Sequence, residues 1–357
     1  MSRFAFTFVV SLAGLALLAS CPRGKKKAPE PAAAKHDAAT TAPPDHDGGT
    51  ATLPALPSPP PLPTVPQGLP PLPALPAVTP EAVAFGELLF WDARLSSTGK
   101  LSCASCHDPA AGFAGASRQD TADGKPNLRR APALINLAWT PQLGWDGRFT
   151  SIQGQLASHI RGQLGQPIET SVERIAAVPI YQLHLARVGG EPAAALTTAI
   201  SAYVLTRFSG DAPWDRMERS GDIPPPIKAG YQLFSGKAQC SVCHTPPLYT
   251  DLGFHRLGLI ATPDGGRGRV DAAKMGAFRT PTLRGAAARK AFFHDASAGS
   301  LEAAVDWHLE GGTGDKADPS IVDIKRIVLR PDERSQLLAF IAALTPAPPS
   351  VEPPVLP

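Results

Sequence analysis

The chain has 357 residues, with 34 Lys and Arg against 31 Asp and Glu and a formal net charge of +3. A balance this close to neutral excludes the strongly basic face of a nucleic-acid binder and gives no sign of a strongly acidic partner. Once the tails are set aside, the length suits two domains of ordinary size.

In chain order, residues 1–20 place Arg3 before an apolar run from Phe4 to Leu18 and end on Ala19 and Ser20. That is the pattern of a secretory signal and is short for a membrane-spanning helix. Leu18-Ala19-Ser20-Cys21 resembles a bacterial lipobox, whose Cys becomes the acylated first residue; the plain alternative is an ordinary cleaved signal with Cys21 incidental. The lipoprotein reading puts the protein on the periplasmic side of a bacterial membrane, anchored through Cys21. From 21 to 80 the composition changes, with 17 of the 40 prolines between Pro22 and Pro80. Such sequence favours extended polyproline II without internal hydrogen bonds, so a disordered tether is expected. His36 and His46 within it read as solvated bystanders.

The folded part opens at Thr79-Pro80-Glu81, a cap followed by proline at the first helical position. Soon after comes Cys103-Ala104-Ser105-Cys106-His107, and the same pattern returns as Cys240-Ser241-Val242-Cys243-His244. C-x-x-C-H is the c-type haem attachment signature. Two thiols three positions apart add to the two vinyl groups of one porphyrin, and the adjoining imidazole reaches the iron. With 5 Cys and 9 His in the chain, chance gives one such pentapeptide in roughly a thousand chains, so a pair is far from background. A thioredoxin-like pair or half a zinc site is the plainer reading, but neither asks for the trailing His twice. Two covalent c-type haems are therefore expected, and with four thiols so used no pair remains for a disulfide.

Gly86-Glu-Leu-Leu-Phe90 precedes the first motif and Gly230-Tyr-Gln-Leu-Phe234 the second. Closing helices are expected over Ala199 to Phe208 and Ser335 to Leu344, with small–aromatic pairs Ala202-Tyr203 and Ala339-Phe340. No stretch alternates well enough for a sheet. The expected fold is all-α, two tandem cytochrome-c-like haem domains over 81–220 and 221–345, with a Pro-rich tail over 346–357.

A haem iron has a sixth position, and whether the protein fills it separates electron transfer from catalysis. Between His107 and Trp145 there is neither His nor Met. That leaves Lys125 and the distant His159 as weak candidates at the first haem, whose iron is expected to be open. At the second haem His308, on a helix beginning near Leu301, and Met275, in a Gly/Lys-flanked loop, are both candidates.

The motifs together resemble the bacterial di-haem cytochrome c peroxidase family, including its MauG-type enzymes, from about Phe85 to Leu344. The resemblance rests on Leu89-Phe90-Trp91-Asp92-Ala93-Arg94-Leu95-Ser96 leading into the first haem motif. It continues through Arg130-Ala131-Pro132, Trp145-Asp146-Gly147-Arg148, Arg279-Thr280-Pro281-Thr282-Leu283-Arg284 and Phe293-His294-Asp295. It implies a peroxidatic N-terminal haem and a C-terminal haem that relays electrons, with Trp145 between them. It also implies Gln155 and Glu169 beside the peroxide pocket, the carboxylate doing acid–base work on the O–O bond; the plain alternative for Glu169 is a solvent-facing helix cap. His294 would support the second haem's surroundings rather than bind iron.

Three departures stand out. The segment from Trp145 to Glu169 is about four residues longer than the family's pattern. Arg130 replaces a neutral calcium ligand, which makes calcium doubtful. At the position fourteen after His294, Met or Tyr in the family, stands His308, which favours His308 over Met275 as sixth ligand and lowers that haem's potential. The implied activity is reduction of hydrogen peroxide with electrons from a small donor such as a c-type cytochrome. The alternatives are a MauG-like oxidase acting on a protein or organic substrate and a non-enzymatic electron carrier. Family members are often dimers, so a homodimer is a further expectation.

Overall fold

The computed structural model describes residues 56–75, 77–259, 264–312, 322–347 and 351–357. The signal segment, Cys21, His36 and His46 fall outside the described residues. Within them the fold is predominantly α-helical. In chain order the helices are α1 (Pro80–Trp91), α2 (Cys103–Cys106), α3 (Ile152–Gly162), α4 (Ile168–Ala176), α5 (Pro179–Val188), α6 (Pro192–Leu205), α7 (Pro213–Ser220), α8 (Pro225–Ser235), α9 (Leu301–Leu309) and α10 (Pro331–Ala343). Two short strands, β1 (Phe254–His255) and β2 (Phe278–Arg279), pair antiparallel with Phe254 opposite Arg279. That pair departs from the expectation of no sheet; with only two residues each, the strands are too short for alternation to reveal.

Helix α1 starts where its sequence implies, with Thr79 accepting a 3.1 Å bond from the Ala82 amide. It stops at Asp92, whose carboxylate caps the next turn at Arg94 N and accepts the Tyr181 hydroxyl at 2.8 Å. The closing helix α6 opens at Pro192, ahead of the expected Ala199, because proline needs no N–H partner at the first position and the alanines behind it propagate the turn. It is apolar on nearly every side and correspondingly buried.

Helices α1 and α6 cross at Gly86, where a Cβ would strike the Ala199 carbonyl and the Tyr203 Cβ. Helices α8 and α10 cross at Gly230 in the same way, against the Gln336 carbonyl and the Phe340 Cβ. Each crossing brings two backbones closer than any side chain allows, and each is sealed by the aromatic of the small–aromatic pair. Two cores grow from these crossings. Phe85, Leu89, Ile175, Tyr181, Leu196 and Ile200 fill the first; Trp214, Phe234, Tyr249, Leu337, Phe340 and Ile341 fill the second.

The Pro-rich segment departs from the expected tether over residues 56–75. Leu56 is buried, the Gln67 carbonyl accepts from Asp211 N, the Pro71 carbonyl accepts from Trp139 Nε1, and the Gly68 carbonyl accepts from Arg284. A polyproline strand leaves its carbonyls free for outside donors, and this one finds them on the helical body. The C-terminal tail behaves likewise: Val351 packs on the first region's core and the Pro357 carbonyl accepts from Arg94. Among the described residues no helix is long and apolar enough to cross a membrane.

Candidate functional site

The two C-x-x-C-H segments sit on short turns, α2 and the 3-10 turn Cys240–Val242, and each feeds its histidine into the same arrangement. His107 Nδ1 lies 3.0 Å from the Phe113 carbonyl and His244 Nδ1 lies 3.1 Å from the Tyr249 carbonyl. A carbonyl only accepts, so each Nδ1 carries the proton; at His244 this leaves Nε2 bare, as a metal-ligating imidazole requires, while His107 also has the Pro132 backbone beside it. Phe113 and Tyr249 both hold positive φ, 56° and 54°, which turns their carbonyls back toward the histidines. Burial pushes both imidazoles down to about 4, so they stay neutral at ordinary pH. Burial also raises the thiols of Cys103 and Cys240 to about 12.

Across from His244 stands His308 on α9. Its Nδ1 donates to the Ala304 carbonyl one turn back, at 2.7 Å, and the two ring centroids are 6.4 Å apart. Two ring nitrogens each about 2 Å from one metal put their centroids about 6 Å apart, so the pair has the spacing of two axial ligands. The other candidate, Met275, is 58% exposed, and its sulfur lies over Gly265 and Gly268.

Cys240, Cys243, His244 and His308 line a cavity of about 300 Å³ whose remaining wall is largely apolar. Its polar lining includes groups without partners. Arg289 Nε and both His294 ring nitrogens are buried and unpaired. Burial lowers Arg279 and Arg130 to about 10 and Arg289 to about 9. Buried guanidiniums favour a nearby anion, and the carboxylates of a porphyrin are of that kind. Thiols, a bare imidazole on either side and basic groups on one apolar cavity fit a covalently held haem.

Trp145 also lines this cavity. It is buried, donates from Nε1 to the Arg130 carbonyl at 2.9 Å, and carries the Arg130 guanidinium 5.1 Å above its ring. Arg130 in turn donates to the Phe293 and Ala131 carbonyls, so a protein cation occupies the neighbourhood expected to bind calcium poorly. Beside it, Arg129 bridges Asp146 at 2.8 Å and Asp264 at 2.5 Å, tying the Trp145 segment to the Asp264 turn.

The other residues expected near the first haem are spread out. Gln155 is half-buried on α3 and Glu169 is exposed in the first turn of α4. Lys125 pairs with Asp123 at the surface and does not reach inward. His159, set aside as distant, is brought within electrostatic range of His107. The signal that would have found it is a repeat at a constant offset of 149 residues, Arg130-Ala-Pro against Arg279-Thr-Pro and His159 against His308. The structure follows that offset: bridges Leu143–Phe149 and Phe292–Ala298, left-handed Asn136 and Gly285, and caps Ser151 and Ser300.

Comparison with known proteins agrees with this architecture. A family model described as di-haem cytochrome c peroxidase matches residues 80–222. The methylamine utilization protein MauG of Methylorubrum extorquens is 36% identical over 78% of this chain and 82% of its own. The cytochrome-c peroxidase IdrP1 of Denitromonas iodatirespirans is 30% identical, covering 80% of this chain and 85% of its own. Among solved structures, a MauG-like protein associated with microbial copper homeostasis superposes with a TM-score of 0.70 at 26% identity, over 79% of this chain and 95% of that one.

Proposed function

Because the chain belongs to the di-haem cytochrome c peroxidase family and is a cytochrome-c-peroxidase-like oxidoreductase, we propose that it reduces hydrogen peroxide to water at its N-terminal haem with electrons relayed through its C-terminal haem. The observation that carries this reading is the closed second site, where His244 and His308 face each other at axial-ligand spacing. A pair so placed holds a conduit rather than a substrate.

The residues divide the work between two tandem haem domains, 81–220 and 221–345. Cys103, Cys106 and His107 would hold one haem; Cys240, Cys243, His244 and His308 would hold the other. Bound there, the haems would supply the redox-active iron that peroxide reduction needs. Buried Trp145, on the wall of the second cavity, is the relay. Glu169 takes a proton from one peroxide oxygen and returns it to the other as that oxygen leaves, with Gln155 beside it. One peroxide, two electrons from the donor and two protons give two waters. The donor is a small redox protein such as a c-type cytochrome, met on the periplasmic side of the membrane to which Cys21 tethers the chain; a homodimer is the assembly the family implies.

The test is the spin state of the oxidised protein followed by steady-state turnover with reduced cytochrome c. One high-spin and one low-spin haem with peroxide turnover is the expected result; two low-spin haems and no reaction after one-electron reduction would leave only a carrier. Glu169→Gln should lower turnover by about 10²–10⁴-fold with both haems attached. A second reading, an oxidase drawing electrons from a protein or organic substrate, is favoured by the 36% identity to a MauG protein. A high-spin haem that reacts with peroxide but takes no electrons from cytochrome c would select it.

A further inference from the structure

A second cavity, of about 230 Å³, lies apart from the one that holds His244 and His308, and no motif cysteine or histidine lines it. Separate pieces of chain enclose it. Pro63 and Pro66 come from the Pro-rich strap, Phe113 from behind the first motif, Phe208 from beyond α6, and Pro346 and Val351 from the C-terminal tail. The space exists because strap and tail fold back over the helical body instead of leaving it. Its walls are rings and hydrocarbon with little freedom to adapt, since proline has no side-chain rotamers to change.

Two polar groups interrupt this wall. Ser209 is 4% exposed, and its hydroxyl has no hydrogen-bond partner. Asn136 fixes the Ser209 backbone, donating to its carbonyl at 3.1 Å and accepting from its amide at 2.8 Å. The hydroxyl stands beside Gly285, another wall residue, where an added Cβ would come within 3.6 Å of it. A buried hydroxyl left unbonded is unfavourable, so this one is placed for an acceptor that enters from outside. The second group is half-buried Arg207. It donates to the Tyr203 carbonyl at 3.1 Å and the Thr206 hydroxyl at 3.0 Å, and rests on the Tyr203 ring at 4.1 Å. Those partners are all neutral, and no carboxylate of the described residues pairs with it. Two further wall hydroxyls are engaged already: Thr206 donates to the Tyr203 carbonyl and Thr345 accepts from the Ala287 amide.

We propose that this cavity binds a small aromatic carboxylate, its ring between the proline and phenylalanine faces and its carboxylate held by Arg207 and Ser209. Water satisfies polar groups singly, whereas a largely apolar cavity takes an apolar body. The volume lies below the range usual for drug-sized ligands, which limits the guest to about one ring. A rigid ring also loses less freedom on binding than a chain of the same size. A guanidinium without a counter-charge beside an unbonded hydroxyl donor selects a carboxylate over a neutral head group. The site is independent of the peroxidase reading.

Benzoate titrated calorimetrically into the oxidised holoprotein tests this, with the haem absorption spectrum recorded alongside. The expected result is one-to-one binding that leaves the spectrum unchanged. Arg207→Gln should weaken it by at least about tenfold, and Ser209→Ala by about three- to tenfold. Ala288→Phe, which puts a ring into the space from the turn Ala286–Ala288, should abolish binding while leaving both polar groups in place. That variant keeps the test decisive if Arg207→Gln disturbs the end of α6. Benzyl alcohol, with the same ring and no charge, should bind at least about tenfold more weakly than benzoate. No heat at millimolar benzoate overturns the proposal, and so does an affinity for benzyl alcohol equal to that for benzoate. Binding that survives both Arg207→Gln and Ala288→Phe overturns it too, and a shifted haem spectrum would then put the benzoate on iron.

Discussion

The two haem regions share their scaffold and differ in what they place at its centre. Both cross a glycine-notched helix against an aromatic-sealed one, at Gly86 with Tyr203 and at Gly230 with Phe340. Both turn the motif histidine onto a carbonyl of a positive-φ aromatic. Both carry a serine-capped helix with a histidine eight positions on. The differences fall on the 149-residue register itself: Trp145 stands against His294, and Ile135 against Arg284. Where the scaffold agrees it turns a motif histidine onto a backbone carbonyl; where it diverges, Trp145 and Ile135 stand in one region at the register of His294 and Arg284 in the other.

The largest break in this comparison comes from removing the thiols of one region at a time. Cys103→Ala with Cys106→Ala should leave one haem by mass and pyridine-haemochrome assay, and peroxide reactivity at background. Cys240→Ala with Cys243→Ala should also leave one haem, but an iron that still reacts once with peroxide while donor-fed turnover stops. Equal loss from both would mean that the regions are not divided in function.

Next in size is the ion pair that replaces an apolar contact. Arg284 holds Asp215 in a two-pronged bond at 2.8 and 2.9 Å, with both side chains buried, and donates further to the Gly68 and Pro247 carbonyls. Asp215→Ala leaves a buried guanidinium short of its counter-charge and should cost about 3–5 kcal/mol in denaturant unfolding. The first region has Ile135 at the register of Arg284 and needs no such pair. If Arg284→Leu with Asp215→Leu recovers most of that loss, the pair is a matter of specificity; if it does not, the strap of residues 56–75 depends on Arg284.

Much of this was legible in the sequence because its chemistry is local. Thr79-Pro80 announces a helix start, C-x-x-C-H carries its purpose in five residues, and the small–aromatic pairs mark the crossings. His159 was passed over because nearness along the chain to His107 stood in for nearness in space; the register shared with His308 carries that information across 149 residues. The Pro-rich strap was misjudged for a different reason. Composition reports that a segment makes no hydrogen bonds with itself, and says nothing of donors elsewhere such as Trp139 Nε1 and Arg284 that reach its carbonyls. The partners of Arg129, Asp146 and the far Asp264, were invisible for the same cause.

That network gives an acid test of how the regions are tied. Burial alone would raise the Asp264 carboxyl, but the Arg129 guanidinium and the Gly266 amide outweigh it and hold it at about 2. A depressed folded pKa contributes stability that is complete above the free carboxyl value of about 4 and is lost as pH falls toward 2. The loss should be about 2 kcal/mol, read as a falling denaturant midpoint between those pH values. Asp264→Asn should start lower and lose this part of the slope. An unaltered slope would place the acid sensitivity elsewhere.

The smallest effects are the most direct check on equivalence. Ser151 and Ser300 each bond an amide three residues on, at 3.2 and 3.1 Å, and each begins a helix with a histidine eight positions on, His159 and His308. Replacing either cap by Ala should cost about 1 kcal/mol. The consequence for the metal should differ. In Ser300→Ala, a loosened α9 moves an imidazole set at 6.4 Å from His244, and a ligand bond about 2 Å long has no slack, so part of the low-spin signal should become high-spin. In Ser151→Ala, α3 carries no residue assigned to iron, so the resting spectrum should stay as it was. Matching spectral changes in the two variants would show that the first site is closed like the second, and the division between catalyst and conduit would have to be drawn elsewhere.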